Sequence, residues 1–128
     1  MRPDADDTMT FPDHEGGMDI QEWQHEIHAL AVEKGWYPNG EQRPAAEHLA
    51  NLHAEVSEAW EEYRKGHPLD HIYFREDGKP EGFPVEIADV VIRCLDMADA
   101  IGIDLARVIR MKHIFNKTRP FRHGGKMA

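Results

Sequence analysis

What this chain lacks narrows its identity before any motif is read. It has one cysteine, Cys94, so no internal disulfide can form and a small secreted scaffold held by cross-links is excluded. No apolar run approaches the roughly 20 residues that a membrane span requires, and the opening stretch, MRPDADDTMTFPDHEGGMD, has no apolar signal-peptide core. The expected setting is the cytoplasm, with no membrane partner. Positive charge is also short: 15 Lys and Arg stand against 24 Asp and Glu, a net charge of −9 that argues against a general nucleic-acid binder. Beyond Asp104 that shortage reverses. Residues 105–128 contain no acid and seven bases, Arg107, Arg110, Lys112, Lys117, Arg119, Arg122 and Lys126. An acidic body with a basic end can hold a cation and the anion bound to it; a basic last helix favoured by its own dipole would look the same.

What remains is enough for one core: 128 residues, 41% of them hydrophobic, fit one domain. Its organisation reads as a polar N-terminal leader (1–18), a folded domain (19–120) and a basic, glycine-containing tail (121–128). Ile20, Trp23, Ile27, Leu30 and Ala31 recur at helical spacing, predicting a helix over 20–34 that stops at Gly35. Pro44 opens a second helix that runs to about 65. The stretch GHPLDHIYFREDGKPEGFP is a long connection in which HIYF has the composition of a short strand and DGKPEG that of a turn. A third helix is expected over 85–101 with Gly102 as its stop, and Asp104 caps a fourth, to about 116. No strand pattern competes, so the expected fold is all-α, a compact bundle of about four main helices.

Two helices carry carboxylates where few are expected. On the second, Leu49, Leu52, Val56, Ala59, Trp60 and Tyr63 form an apolar stripe, and Glu55, Glu58 and Glu62 follow its edge. Trp60, like Trp23 on the first helix, is expected in the core. The third helix is apolar around most of its circumference, yet Glu86, Asp89, Arg93 and Asp96 share one narrow strip. Each helix therefore presents an acid pair at i and i+3, EVSE and EIAD, on one face. Like charges at that spacing repel, more strongly as the surroundings dry. If the two helices face each other, a divalent cation removes the repulsion, and an all-oxygen set suits Mg²⁺ or Mn²⁺. Solvated helix faces are the bland alternative. A di-iron bundle would need two Glu-x-x-His pairs, and only Glu22–His25 qualifies. Arg93 could reach a phosphate or pair with Asp89 or Asp96, its neighbours one turn away, and the ion pair is the favoured expectation.

EVSEAWEE, then EIADVVIRCLD, then KHIFNKTRP together resemble the MazG-like family of all-α nucleoside triphosphate pyrophosphatases over residues 20–120. The matching positions are Glu55 with Glu58, Glu86 with Asp89, and Lys112, Asn116, Arg119 and Pro120. The resemblance implies an enzyme that hydrolyses a nucleoside triphosphate to the monophosphate and pyrophosphate, with a role in clearing unwanted nucleotides. The four acids would bind Mg²⁺ and carry catalysis, Lys112 and Arg119 would neutralise phosphate oxygens, and Asn116 would reach a phosphate or the sugar. IHALAVEKGW resembles the segment that brings a His and a Trp to the base in deoxycytidine-type relatives, which matches His28 and Trp36. In the tail, Arg122 and Lys126 could close over phosphates, and a disordered basic tail is the alternative. The thin core implies a homodimer or homotetramer, with the site completed across an interface. The reading from another class is a helical nucleotide-binding or protein-interaction module of the same fold without catalysis.

Overall fold

The computed structural model describes residues 17–128; most of the expected leader lies outside the described residues. Four long helices account for most of it, as the hydrophobic spacing requires. The first, α1 (Ile20–Glu33), opens on a reciprocal cap: the Asp19 carboxylate accepts from the Glu22 amide at 2.8 Å, and the Glu22 carboxylate accepts from the Asp19 amide at 2.9 Å. After a single turn at Pro38–Gly40 comes α2 (Ala45–Arg64), which begins directly after Pro44. The third, α3 (Phe83–Ile101), starts two residues earlier than the hydrophobic pattern suggests, because Pro84 fits its first turn and Gly82 does the turning. Gly102, at φ +90°, ends it in the left-handed conformation, and Asp104 caps α4 (Leu105–Lys117) by accepting from the Arg107 amide at 3.1 Å. A last turn, α5 (Arg122–Gly125), has positive φ at all four of its residues.

The long connection is ordered around a minimal hairpin. Strand β1 (Tyr73–Phe74) pairs antiparallel with β2 (Pro80–Glu81), in the register Tyr73 opposite Glu81 and Phe74 opposite Pro80. The Asp77 carboxylate accepts from the Lys79 amide across the turn. Gly82, at φ +125°, then swings the chain into α3, and a Cβ there would collide with the carbonyl oxygen of His71.

Helix α3 is the axis of the packing, with α2 on one side and α1 on the other, while α4 rests against α1. The buried apolar positions are few, namely Tyr37, Ala59, Leu95 and Ala98. The small residues Ala59 and Ala98 allow close approach of the helices. The apolar stripe of α2 faces this core only in part, through the buried Ala59 and the half-buried Leu52. Leu49, Val56, Trp60 and Tyr63 are 50–55% exposed, and Trp23 is 45% exposed, which corrects the expectation that Trp60 and Trp23 are core residues. The side of α2 that meets α3 is instead the edge carrying Ala59 and Glu62, both buried. Periodicity correctly identified which residues share a face; it did not say which face the neighbouring helix takes.

Candidate metal centre

Turning α2 in this way brings its acidic edge onto the polar strip of α3. Carboxylate oxygens of Glu55, Glu86 and Asp89 all lie within 4.8 Å of one another, each side chain half-buried. Glu58 is exposed and stands outside this trio, yet its charge, with those of Asp89, Glu55 and Glu62, adds to burial in raising the Glu86 carboxyl above its usual range. Asp89 is raised as well, first by burial and then by Glu55, with Arg93 and Lys79 opposing. Glu86 and Asp89 thus hold their protons more tightly, through burial and then through the neighbouring carboxylates, as expected at a site short of positive charge.

Among the described residues the cation that ion-pairs with this trio is Arg93. Both Nε and Nη2 of Arg93 donate to the same oxygen, Glu55 Oε1, at 3.2 Å. Arg93 therefore bridges α3 to α2, which corrects the expected pairing with Asp89 or Asp96. The same edge of α2 continues to Glu62, whose buried carboxylate accepts from Lys65 Nζ at 2.7 Å and from the Tyr73 hydroxyl at 3.1 Å. The Lys65 ammonium beside it holds that carboxyl below its usual range against the effect of burial. Tyr73 belongs to β1 and its ring packs on those of His67 and His71, so the long connection is fastened to α2 one turn beyond Glu58.

The two remaining acids of α3 have another role. Asp96 accepts from the Tyr37 hydroxyl at 2.6 Å and from Nδ1 of His28 at 2.7 Å, while Asp99 accepts from Nδ1 of His25 at 2.7 Å and from the Gln24 amide at 3.2 Å. Acids three residues apart on α3 thus meet histidines three residues apart on the antiparallel α1. Sequence reading missed this pairing, although the matched spacings of His25 with His28 and Asp96 with Asp99 signal it. His28, expected at the base, has one ring nitrogen committed to Asp96. The Tyr37 hydroxyl is pushed far above its usual range by burial and by the Asp96 carboxylate it serves. Near this network His48 is buried, and its Nε2 has no hydrogen-bond partner among the described residues; burial, then the charge of Arg43, lower its pKa.

Trp36 is 62% exposed, so its ring is open to a ligand. Lys112 and Arg119 lie against the ring of Phe115, with Nζ 5.3 Å and Cζ 5.7 Å from its centroid, and Asn116 is exposed beside them on α4. Among the described residues none of the bases from Arg107 onward forms an ion pair. Arg122 stacks on Phe121, 5.5 Å from its centroid, and Lys126 follows in the exposed tail. Glu22 is spent on the α1 cap and His25 on Asp99, which leaves the only Glu-x-x-His pair away from the acid trio. No helix among the described residues is long and apolar enough to cross a membrane. No family model, curated protein or solved structure matches the chain.

Proposed function

We propose that this chain is a divalent-metal-dependent nucleoside triphosphate pyrophosphohydrolase of the MazG-like kind, yielding the monophosphate and pyrophosphate and serving to clear unwanted nucleotides. The observation that carries the reading is the convergence of Glu55, Glu86 and Asp89 from the two acid-pair motifs on facing helices. The donor set fits the ion: all ligands are carboxylate oxygens, Arg93 offsets only part of their mutual repulsion, and the charge of the exposed Glu58 is felt at Glu86, so that it would complete a four-acid set. Bound there, Mg²⁺ or Mn²⁺ would supply Lewis acidity toward phosphoryl oxygens and toward water.

The chain's own groups do the rest. Glu55, Glu58, Glu86 and Asp89 would hold the metal. Lys112 and Arg119, cations without carboxylate partners among the described residues, neutralise phosphate charge, and Asn116 donates from its amide. Trp36 offers a π-face to the base, and Arg122 and Lys126 in the tail add positive charge. Because α4 rests on α1, with α2 on the far side of α3, a second copy is the natural way to bring its bases onto the acid trio. The outward apolar stripe of α2, from Leu49 to Tyr63, is the surface such a homodimer or homotetramer would bury.

Pyrophosphate release from a panel of ribo- and deoxynucleoside triphosphates with Mg²⁺ or Mn²⁺, beside the Glu58→Gln variant, tests the reading. Release that requires metal and is lost in the variant is the expected result. No release from any nucleotide would favour a binding module that has the fold without the chemistry.

A further inference from the structure

Arg93 is the one base placed on the polar strip of α3 between Glu86 and Asp96, and it reaches across to α2 for its partner. Both of its contacts fall on one oxygen of Glu55, and Glu55 Oε2 accepts no hydrogen bond among the described residues. The guanidinium side chain is 42% exposed, so this pair is weak and is easily exchanged. Its partner is also one of the three carboxylates that converge. Three carboxylates and one guanidinium leave two negative charges, which a single divalent cation cancels.

We propose that Arg93 is an exchangeable counter-ion: without metal it neutralises Glu55, and once a divalent cation takes that carboxylate its guanidinium turns to a phosphate oxygen of the bound ligand. The inference rests on the metal-site reading above and adds a residue to it. The cation draws the charge of Glu55 to itself, so the guanidinium loses its main attraction while staying beside the site. A planar fork of N–H donors is then free for phosphate, which it can engage through two parallel hydrogen bonds. Metal and polyphosphate binding become linked through one side chain, and each must raise the affinity of the other by the same factor. Arg93 opposes the metal when it binds alone and favours the metal bound with its anion.

Two titrations on the full chain separate this role from a structural one. Mn²⁺ alone should bind Arg93→Gln about tenfold more tightly than the wild type, because a competing fixed cation is gone. At saturating Mg²⁺, a non-hydrolysable α,β-methylene nucleoside triphosphate should bind the same variant about tenfold to a hundredfold more weakly. Arg93→Lys, which keeps the charge but loses the fork, should match the wild type for Mn²⁺ and recover part of the analogue affinity. The opposite signs are the signature, since loss of a merely structural bridge would weaken both ligands together. Weaker or unchanged Mn²⁺ binding by Arg93→Gln overturns the exchange while leaving the metal site standing. Absence of Mn²⁺ binding by the wild type overturns the metal site itself.

Discussion

Replacing Asp89 with asparagine should make the metal-free protein more stable, and the magnitude can be worked from the geometry. Asparagine keeps the shape of the side chain and removes one charge from three groups whose oxygens lie within 4.8 Å. At that separation two unit charges repel by about 0.9 kcal/mol in bulk water and about 3.5 kcal/mol at an effective dielectric constant near 20. The site is half-buried and Arg93 offsets part of the charge, so a net gain of about 1 kcal/mol is expected. For a domain of this size that raises the melting temperature by about 3–5 °C. In Mg²⁺ the sign reverses: the wild type gains about 2.7 kcal/mol at a hundredfold excess over its Kd, and the variant gains little. Thermal melts by circular dichroism, in chelator and in Mg²⁺, read both effects. A variant that melts lower than the wild type in chelator would refute the reasoning, because it would mean that the Asp89 charge is satisfied in the folded chain.

The pH dependence of stability should contain two opposed contributions. Glu86 and Asp89 have folded pKa values above their unfolded ones, so their contribution is present at low pH and lost as pH rises through the folded values; Mg²⁺ should abolish that loss. His48 has a folded pKa below its unfolded value, so its contribution is complete above about 6.5 and declines as pH falls through that value. Chelated melts from pH 8 to pH 5 should therefore show an acid-side decline that His48→Leu removes. Gly82→Ala should destabilise by more than about 2 kcal/mol, since it joins a strained φ to a collision with His71, and a denaturant melt with unchanged stability would contradict this. Trp60→Glu should turn an oligomer into a monomer by light scattering; an unchanged mass would show that the α2 stripe is not the contact surface.

Much of this fold was legible in the sequence because its boundaries are written in local chemistry. Gly35, Pro44, Gly102 and Asp104 each start, cap or terminate a helix by a mechanism that depends only on nearby residues. The paired spacings offered Glu55, Glu58, Glu86 and Asp89 as a set that converges if the two helices face each other; Glu55, Glu86 and Asp89 meet, and Glu58 stays outside them. The orientation of α2 was not legible, because the large members of its apolar stripe, Leu49, Val56, Trp60 and Tyr63, are exposed while Ala59 is buried, and a pattern within one helix carries no information about which neighbour covers it. The same limit hid Arg93: its sequence neighbours Asp89 and Asp96 were the obvious partners, but Glu55 lies opposite it only once the two helices are packed. Asp96 shares a strip with Glu86 and Asp89 in the sequence pattern, and the structure commits it, like Asp99, to the histidines of α1.

The most direct test of the account is a Mn²⁺ titration of the metal-free wild type beside Glu86→Gln, followed by electron paramagnetic resonance. The account predicts saturable binding by the wild type and none of comparable affinity in the variant. Equal binding by both proteins, or none by either, would contradict the claim that Glu55, Glu86 and Asp89 form a metal site.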